Sequence, residues 1–361
     1  MSGPSVPLVG LDVGTNAIKA VEVRRVKGRA VVAGWSQIPT PPGAVSEGGV
    51  ADPCAVAEAL GRLFGGALRR RPVVVAAGGS GVLFRTIHLP RMTPRELAEV
   101  LKWESEKHLP LEREESVVDF AILDGETLDR QMPVLLVGTH RRVVEGYLGA
   151  LRLARLAVRA VDADALANFR ALRLFPHYTG SGALAALDLG GATSKLAVYL
   201  EGAPRLVRTL PFGGRDLAEA VRRGEACDPA RAEELKVLHG LSPGSPVAGW
   251  LRAALEDIIA ECRRTLDFFL NSNRGVPITA MALLGGEWRT PGLAEEFEAS
   301  LLRAMEDRLE GVRAWVADPT DLLGPGGPLA SVGWAAQALN RGGQRLGPQF
   351  LGALGLGLRG V

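Results

Sequence analysis

The chain contains the same short pattern twice, and this repeat constrains its fold more than any other feature. The first copy reads LDVGTNAIK at 11–19 and the second reads LDLGGATSK at 187–195, so Leu, Asp, Gly and Lys recur at identical spacing. Each copy begins at the end of an apolar run of strand length and leads into a second apolar run. The repeat therefore predicts two similar domains, each of which opens with a β-hairpin.

Each hairpin turn offers groups suited to binding a phosphate. Gly14 and the pair Gly190–Gly191 allow tight turns whose N–H groups are left unpaired, and Lys19 can reach back as a point charge. Asp12 and Asp188 would repel phosphate, but they suit Mg²⁺, which takes one or two carboxylates beside phosphate oxygens. A single Asp-x-Gly turn is usually no more than a turn, whereas two at matched spacing favour a nucleotide cleft. Hydroxyl and amide donors lie in the same turns, at Thr15, Asn16, Thr193 and Ser194.

Length and composition agree with two globular lobes in a reducing compartment. At 361 residues the chain exceeds the usual size of a single core, and its net charge of +2 gives no argument for nucleic acid or an anionic membrane. Three scattered cysteines match no metal-binding spacing and are typical of cytosolic proteins. No signal peptide or apolar run of about 20 residues is visible. We therefore expect a cytoplasmic protein that is not inserted in a membrane.

The order of predicted elements places an insertion in each lobe. Residues 161–174 read as one helical stretch that opens with Asp162 and Asp164, either of which could instead cap it. The apolar end of the chain contains four glycines, which argues against an amphipathic membrane helix. The expected units are a first lobe at 1–81 and 159–180, an inserted α+β module at 82–158, a second lobe at 181–214 and 276–345, a helical subdomain at 215–275, and a C-terminal tail at 346–361.

The chain resembles the actin-like ATPase superfamily and, within it, the PilM family of type IV pilus assembly proteins, which is related to the division protein FtsA. The hairpin pair alone specifies only the superfamily, whereas the segments at 96–123 and 210–221 point to PilM. The resemblance covers nearly the whole chain. It rests on VGLDVGTNAIKAVEV (9–23), ELAEVLKWESEKHLPLEREESVVDFAIL (96–123), VLLVGTHRRVVEGYLGAL (134–151), AVDADALANFRAL (160–172), AALDLGGATSKLAVY (185–199), LPFGGRDLAEAV (210–221), AEELK (232–236) and ALLGGEWRTPGLAEEF (282–297).

The resemblance implies an α/β, actin-like ATPase fold, in which two similar RNase H-like lobes flank a nucleotide cleft and one lobe carries a small inserted α+β subdomain. It implies ATP and Mg²⁺ as cofactors, with Asp12 and Asp188 on the metal side and Asp162, or a neighbour, positioning the attacking water. The chain departs from the family at Glu287–Trp288, where small residues are expected and where an indole could stack on adenine or block it. The implied nucleotide-binding residues are Gly14, Thr15, Asn16 and Lys19 in the first phosphate loop; Gly190, Gly191, Ala192 and Thr193 in the second; Gly213 and Gly214 near the cleft; Glu233 and Lys236 at the ribose and base; and Gly285 and Gly286 under the adenosine.

The resemblance also implies a function and a partner. PilM proteins hold the cytoplasmic N-terminal peptide of the bitopic inner-membrane protein PilN, in a groove between the inserted module and the first lobe. The chain is then expected to be an ATP-binding scaffold with weak or no turnover, peripheral to the inner membrane through its partner. Contacts with pilus motor or platform proteins and self-association are compatible with this function. An FtsA-like filament former and a small-molecule kinase of the same superfamily stay open as alternatives. The cytoplasmic half of the secretion protein GspL is also similar, but that protein continues into a membrane span.

Overall fold

The structure of the chain is a computed structural model that describes residues 7–46, 49–64, 71–123, 131–323, 327–331 and 345–360. Its strands are β1 Leu8–Val13, β2 Ala17–Val26, β3 Arg29–Pro39, β4 Val45–Ser46, β5 Gly49–Val50, β6 Val73–Ala77, β7 Val82–Pro90, β8 Ser116–Ile122, β9 Gln131–His140, β10 Val158–Ala163, β11 Ala183–Leu189, β12 Ser194–Leu200, β13 Ala203–Leu210, β14 Ile278–Leu284, β15 Ala314–Val316 and β16 Ala330–Ser331. Its helices are α1 Pro53–Leu63, α2 Pro94–His108, α3 Arg141–Leu153, α4 Asp164–Leu172, α5 Gly214–Glu225, α6 Pro229–His239, α7 Ala248–Ser272, α8 Leu293–Met305 and α9 Leu351–Gly357.

Two sheets of matching topology confirm the duplication predicted from the repeat. The first sheet has the order β10-β6-β1-β2-β3-β16, and the second has the order β13-β12-β11-β14-β15. In both, the opening hairpin and its third strand are antiparallel, while two later strands add in parallel beside the first. We call the halves built on these sheets the first and second lobes.

The two hairpins correspond residue by residue. Asp12 lies opposite Lys19 in the register of β1 with β2, and Asp188 lies opposite Lys195 in that of β11 with β12. The opening strands are buried on both faces, which explains their unbroken apolar sequences. The duplication therefore places equivalent carboxylates and lysines at the same edge of each sheet.

Helices α4 and α9 lie in a layer that the two lobes share. Their apolar side chains form one buried cluster with residues from both sheets, including Val21 of β2 and Leu184 of β11. Arg170 of α4 donates a hydrogen bond to the carbonyl of Gly355 in α9 at 2.7 Å. The segment predicted as a C-terminal tail is therefore part of the core between the lobes.

Glycines let α9 lie directly on its neighbours. A Cβ added to Gly355 would lie 1.9 Å from the carbonyl oxygen of Ala167 in α4, and one added to Gly10 would lie 1.9 Å from that of Ala353. Backbone atoms held in a helix cannot retreat from such an approach. The glycines that weaken this segment as an isolated helix are the residues that allow it to pack.

The inserted module is a three-stranded antiparallel sheet, β7-β9-β8, covered by α2. Thr93 and Glu96 form the predicted capping box at the start of α2, and Leu97 and Leu101 bury its inner face. Helix α3 packs differently from expectation, because Val143 and Tyr147 join the first-lobe core with α1 rather than the module's own core. The range predicted for the module, 82–158, therefore includes a helix that packs with the first lobe.

Helices α5 to α8 share one core with the second sheet. The long α7 contributes a buried stripe that includes Leu251, Leu255 and Leu266, as its helical spacing predicts. Within the described part of the chain, no helix is both long enough and apolar enough to cross a bilayer.

Candidate functional site

A cavity of about 400 Å³ lies between the two hairpins. Asp12 and Asp188 both line it, as do the turn residues Gly14 and Gly190. This volume is within the range of small-molecule sites. The structure thus brings the two repeated motifs to one place. Further predicted site residues that line the same cavity are Thr15, Asn16, Lys19, Gly191, Thr193, Gly285 and Gly286.

Two hydrogen bonds hold the first hairpin turn. The N–H of Gly14 donates to the carbonyl of Ala17 at 3.1 Å, and the Thr40 hydroxyl donates to the carbonyl of Gly14 at 2.6 Å. Thr40 follows β3, so the third strand of the lobe fixes the turn of the first two. The side chains of the turn are thereby placed by the rigid part of the sheet.

The loop that contains Gly213 and Gly214 holds the second hairpin turn through hydrogen bonds. The N–H of Gly214 donates to the carbonyl of Gly190 at 2.8 Å, and that of Arg215 donates to the carbonyl of Gly191 at 2.9 Å. A Cβ on Gly213 would lie 2.5 Å from the Gly190 oxygen, so the loop can approach this closely only with glycine there. Gly213 thus acts through the hairpin, and neither it nor Ala192 is among the residues lining the cavity.

The turns of the two lobes also touch each other. Arg215 donates through Nη2 to Oδ1 of Asn16 at 3.0 Å and to the carbonyl of Thr15 at 3.3 Å. Asn16 lies so close to Gly191 that a Cβ there would be 2.2 Å from its amide nitrogen. The cleft is therefore narrow at the hairpin tips.

The carboxylates of the cavity each have a polar partner. The Lys19 ammonium donates to Oδ2 of Asp12 at 2.9 Å, and the Asn168 amide donates to Oδ2 of Asp188 at 3.2 Å. Removal from water raises the pKa of Asp188, and the negative charge of Asp12 adds to this rise. Removal from water lowers the pKa of Lys19, but its attraction to Asp12 outweighs this and leaves that pKa raised. The two hairpins therefore present these charged side chains to the same cavity.

Asp162, expected to position water, does not reach the cavity. It lies on β10 with its side chain buried, and its Oδ2 accepts from Arg170 at 3.1 Å and from Arg359 at 2.9 Å. The helical stretch predicted from 161 begins only at Asp164, because β10 occupies the preceding residues. Asp164 lines the cavity and takes the place at the start of α4 that was predicted for Asp162.

A second cavity of about 300 Å³ adjoins the first. Gly214, Glu233 and Lys236 line it, and Asn16 lines both cavities. The fully buried Lys236 ammonium lies 2.7 Å from Oε2 of Glu287 and 2.9 Å from Oε2 of Glu233. Because Glu287 lines the first cavity, this ion pair stands at the boundary between the two.

The indole of Trp288 points away from the first cavity. Trp288 is buried, its Nε1 donates to the carbonyl of Leu284 at 2.7 Å, and its ring meets Phe297 edge-on at 5.1 Å. Gly285 precedes it with φ of 101°, and a Cβ there would lie 2.3 Å from the Leu189 oxygen. The positive φ redirects the chain after β14, so the side chain at 288 enters the second-lobe core. The Glu287 carboxylate, rather than the indole, faces the cleft.

We expect Trp288→Phe to lower the free energy of unfolding by about 1–2 kcal/mol, because the Leu284 carbonyl loses its buried donor. We expect nucleotide affinity, measured by calorimetry, to be unchanged. A clear drop in affinity, with stability retained, would show that the indole stacks on the ligand.

The donor set suits a hard cation. Asp12, Asp188 and Asn168 offer oxygen ligands of the kind that Mg²⁺ prefers. In the described ranges, no group of three or more His, Cys, Asp or Glu side chains is placed to hold one metal ion. Any Mg²⁺ here would therefore take most of its ligands from phosphate and water, as Mg²⁺ commonly does.

Several polar residues that line the cavities were not among those predicted to bind nucleotide or metal. Asp164, Asn168 and Lys195 line the first cavity, and Arg215 lines the second. Lys195 carried a signal, because it repeats the spacing of Lys19 in the second copy of the pattern. No sequence feature marked Asn168 or Arg215 as site residues, since their roles depend on how α4 and α5 pack against the hairpins.

Comparison with known proteins shows which family the chain matches. A family model described as "Type IV pilus assembly protein PilM" matches residues 10–306. The structure is similar to a chain of the solved PilM–PilN type IV pilus biogenesis complex, with a TM-score of 0.80, 30% sequence identity and coverage of 98% of both chains. It also shares its fold with the ethanolamine utilization protein EutJ from Carboxydothermus hydrogenoformans, with a TM-score of 0.55, 16% identity and coverage of 98% of this chain and 90% of EutJ. The fold is the actin-like ATPase fold, as the resemblance implied.

A shorter likeness is to cell division protein FtsA of Escherichia coli strain K12, at 36% identity over 61 residues. That match covers 17% of this chain and spans only 14% of FtsA. It supports a relationship at the level of one segment.

Proposed function

This chain belongs to the PilM family of type IV pilus assembly proteins, and from that premise we propose that it is an ATP-binding scaffold of the pilus assembly platform. In this proposal it binds the N-terminal cytoplasmic peptide of a PilN-like bitopic membrane protein and stays peripheral to the inner membrane through that partner. The observation that carries the proposal is the likeness to a chain of the PilM–PilN complex over 98% of both chains.

The net charge of the first cavity supports a nucleotide that binds together with Mg²⁺. Four carboxylates and three cationic side chains line it, so with all of them ionised it carries one negative charge. A bare triphosphate would be repelled, whereas Mg²⁺ reverses the sign of the cavity. Asp12 and Asp188 would hold the metal, and Lys19 with the turn N–H groups would hold phosphate. Bound Mg²⁺ would neutralise phosphate charge.

The nucleoside would then extend toward the second cavity. Lys236 and Glu233 line that cavity, and the glycine pair 285–286 borders the path to it. Burial of Trp288 in the core leaves that path clear of the indole. These residues therefore remain the proposed ribose and base contacts.

Slow or absent turnover is part of the proposal. Asp162, the carboxylate predicted to position the attacking water, is buried and paired with Arg170 and Arg359, and it does not line the cavity. Nucleotide would serve to set the angle between the lobes, because it touches both hairpins. A turnover above about 1 s⁻¹ for the purified protein, the low end for ordinary enzymes, would contradict the scaffold proposal.

The inserted module offers a surface for the partner peptide. Trp103 on α2 is 69% exposed, and the guanidinium of Arg113 lies 4.4 Å from its ring centroid. Strand β8 pairs with β9 on one side and exposes Val117 and Ile122. An edge strand and an exposed aromatic anchor are the features that extended peptides use.

We expect a synthetic peptide of the PilN-like N-terminal segment to bind the nucleotide-loaded protein, measured by fluorescence anisotropy. Trp103→Ala should weaken that binding by about fivefold or more, since a buried aromatic anchor commonly contributes at least 1 kcal/mol. Trp250→Ala is the matched control, because Trp250 is also exposed but lies on α7 of the other lobe. Failure of the folded, ATP-loaded protein to bind the peptide would count against the proposed partner.

The FtsA segment favours one second candidate, a filament former. That candidate predicts ATP-dependent sedimentation of the purified chain. The buried position of α9 leaves that helix no free apolar face for contact with a membrane.

A further inference from the structure

The two hairpin lysines have different partners, although the repeat places them identically. Lys19 pairs with Asp12, its cross-strand neighbour in the same hairpin. Lys195 is opposite Asp188 in register, yet its ammonium pairs with Asp164. The two copies of the repeat therefore differ in the partner of their lysine.

The Asp164–Lys195 pair joins the lobes. Lys195 lies on β12 of the second sheet, and Asp164 begins α4 directly after β10 of the first sheet. The Lys195 side chain is 9% exposed and that of Asp164 is 24% exposed. A pair so poorly hydrated is costly to separate unless each charge finds another partner.

The pair lines the first cavity and is absent from the lining of the second. Tyr147 and Gly78 of the first lobe line the cavity near Asp164, and a Cβ on Gly78 would lie 2.4 Å from Oδ2 of Asp164. None of these four residues is among those that line the second cavity. A nucleotide with its base toward Lys236 in the second cavity would place its phosphates in the first cavity, which Lys195 lines.

We propose that Lys195 recognises the terminal phosphate of a nucleoside triphosphate by exchanging Asp164 for a phosphate oxygen. This inference rests on the proposed nucleotide-binding function and assigns a role to a residue outside the predicted phosphate loops. A diphosphate ends short of Lys195 and leaves the cross-lobe pair intact. The lobes therefore sense whether the third phosphate is present through this one lysine.

The exchange predicts that substitutions of the two partners change the affinity for the triphosphate in opposite directions. Lys195→Gln removes the phosphate contact, and Asp164→Asn releases the lysine from its competitor. A hydrogen bond to a charged group contributes roughly 1.5–3 kcal/mol, which corresponds to about tenfold or more in affinity.

The test is calorimetric titration of the full chain with Mg²⁺ and either ADP or a non-hydrolysable ATP analogue. Lys195→Gln should weaken the triphosphate about tenfold and change ADP by less than about threefold. Lys195→Arg, which keeps the charge, should retain the triphosphate preference, and Asp164→Asn should tighten triphosphate binding. Thermal unfolding of each variant reports whether it is folded.

Two failures can be told apart. If the wild-type chain binds both nucleotides and Lys195→Gln weakens them equally, or not at all, the role of Lys195 is wrong and the proposed function stands. If the wild-type chain binds neither nucleotide, the proposed function is wrong and the inference is overturned with it.

Discussion

Gly355→Ala is expected to lower the free energy of unfolding by roughly 3 kcal/mol, the upper range for overpacking a core. The new methyl group would lie 1.9 Å from the oxygen and 2.6 Å from the carbonyl carbon of Ala167, which α4 holds in its backbone ladder. Helix α9 would have to move away from α4 and lose buried contacts with both lobes. The thermal unfolding midpoint, followed by tryptophan fluorescence, measures the effect.

Gly61→Ala is the matched control, because Gly61 lies within α1 and, among the described residues, no atom beyond its own helical turns lies within 4 Å of the added Cβ. Alanine is the better helix former, so the free energy of unfolding of this variant should rise by up to about 1 kcal/mol. Equal shifts for the two variants would mean that close packing of α9 does not determine the stability of the fold.

Asp188→Asn is expected to weaken Mg²⁺-dependent nucleotide binding strongly while stabilising the ligand-free protein. Loss of one carboxylate from the metal side should weaken Mg²⁺-nucleotide by about a hundredfold, the upper range for removing a group that supports a metal site. The Asn168 amide can still donate to the new amide oxygen, since it lies 3.2 Å from Asp188 Oδ2. Calorimetry with and without Mg²⁺ measures the loss.

The gain in stability has a definite pH dependence. The pKa of Asp188 is raised in the fold by burial and by Asp12, so its ionised form is disfavoured relative to the unfolded chain. A raised carboxyl pKa makes the wild type more stable as pH falls through that pKa and less stable above it. Asp188→Asn should therefore raise the unfolding midpoint at neutral pH and bring little gain at acid pH.

Asp257→Asn serves as the control, since Asp257 is exposed on α7 away from the cleft. It should leave both nucleotide affinity and the unfolding midpoint unchanged. Retention of Mg²⁺-dependent binding in Asp188→Asn would remove the metal assignment of that residue.

The hairpins could be predicted from sequence because their signals are local. Gly14 and Gly190 mark the turns, and the apolar runs before them mark strands buried on both faces. The repeated spacing then predicted that Asp12 and Asp188 face one cavity, which the structure confirms. Which ligand these residues bind is still a prediction.

The features that could not be predicted are those that tertiary packing decides. Asp162 and Asp164 are equally polar and two residues apart, and only the length of β10 determines which of them leaves the sheet. Burial of Trp288 depends on the positive φ of Gly285, which no periodicity reveals. The glycines of the C-terminal segment argued against an amphipathic membrane helix, but its packing in the core could not be predicted because its partners, Gly10 and Ala167, lie far away in sequence.

The position of α9 in the layer between the lobes affects how the chain folds during its synthesis. The strands of the first lobe leave the ribosome early, but the helix that packs on Val21 and Gly10 is translated after the entire second lobe. Domains that are continuous in sequence can fold one after another as they emerge from the ribosome. Here the first lobe can complete its core only after α9 has been synthesised. Premature termination anywhere before residue 351 would leave that lobe with an open apolar face, which marks such fragments for chaperones and proteases rather than for assembly.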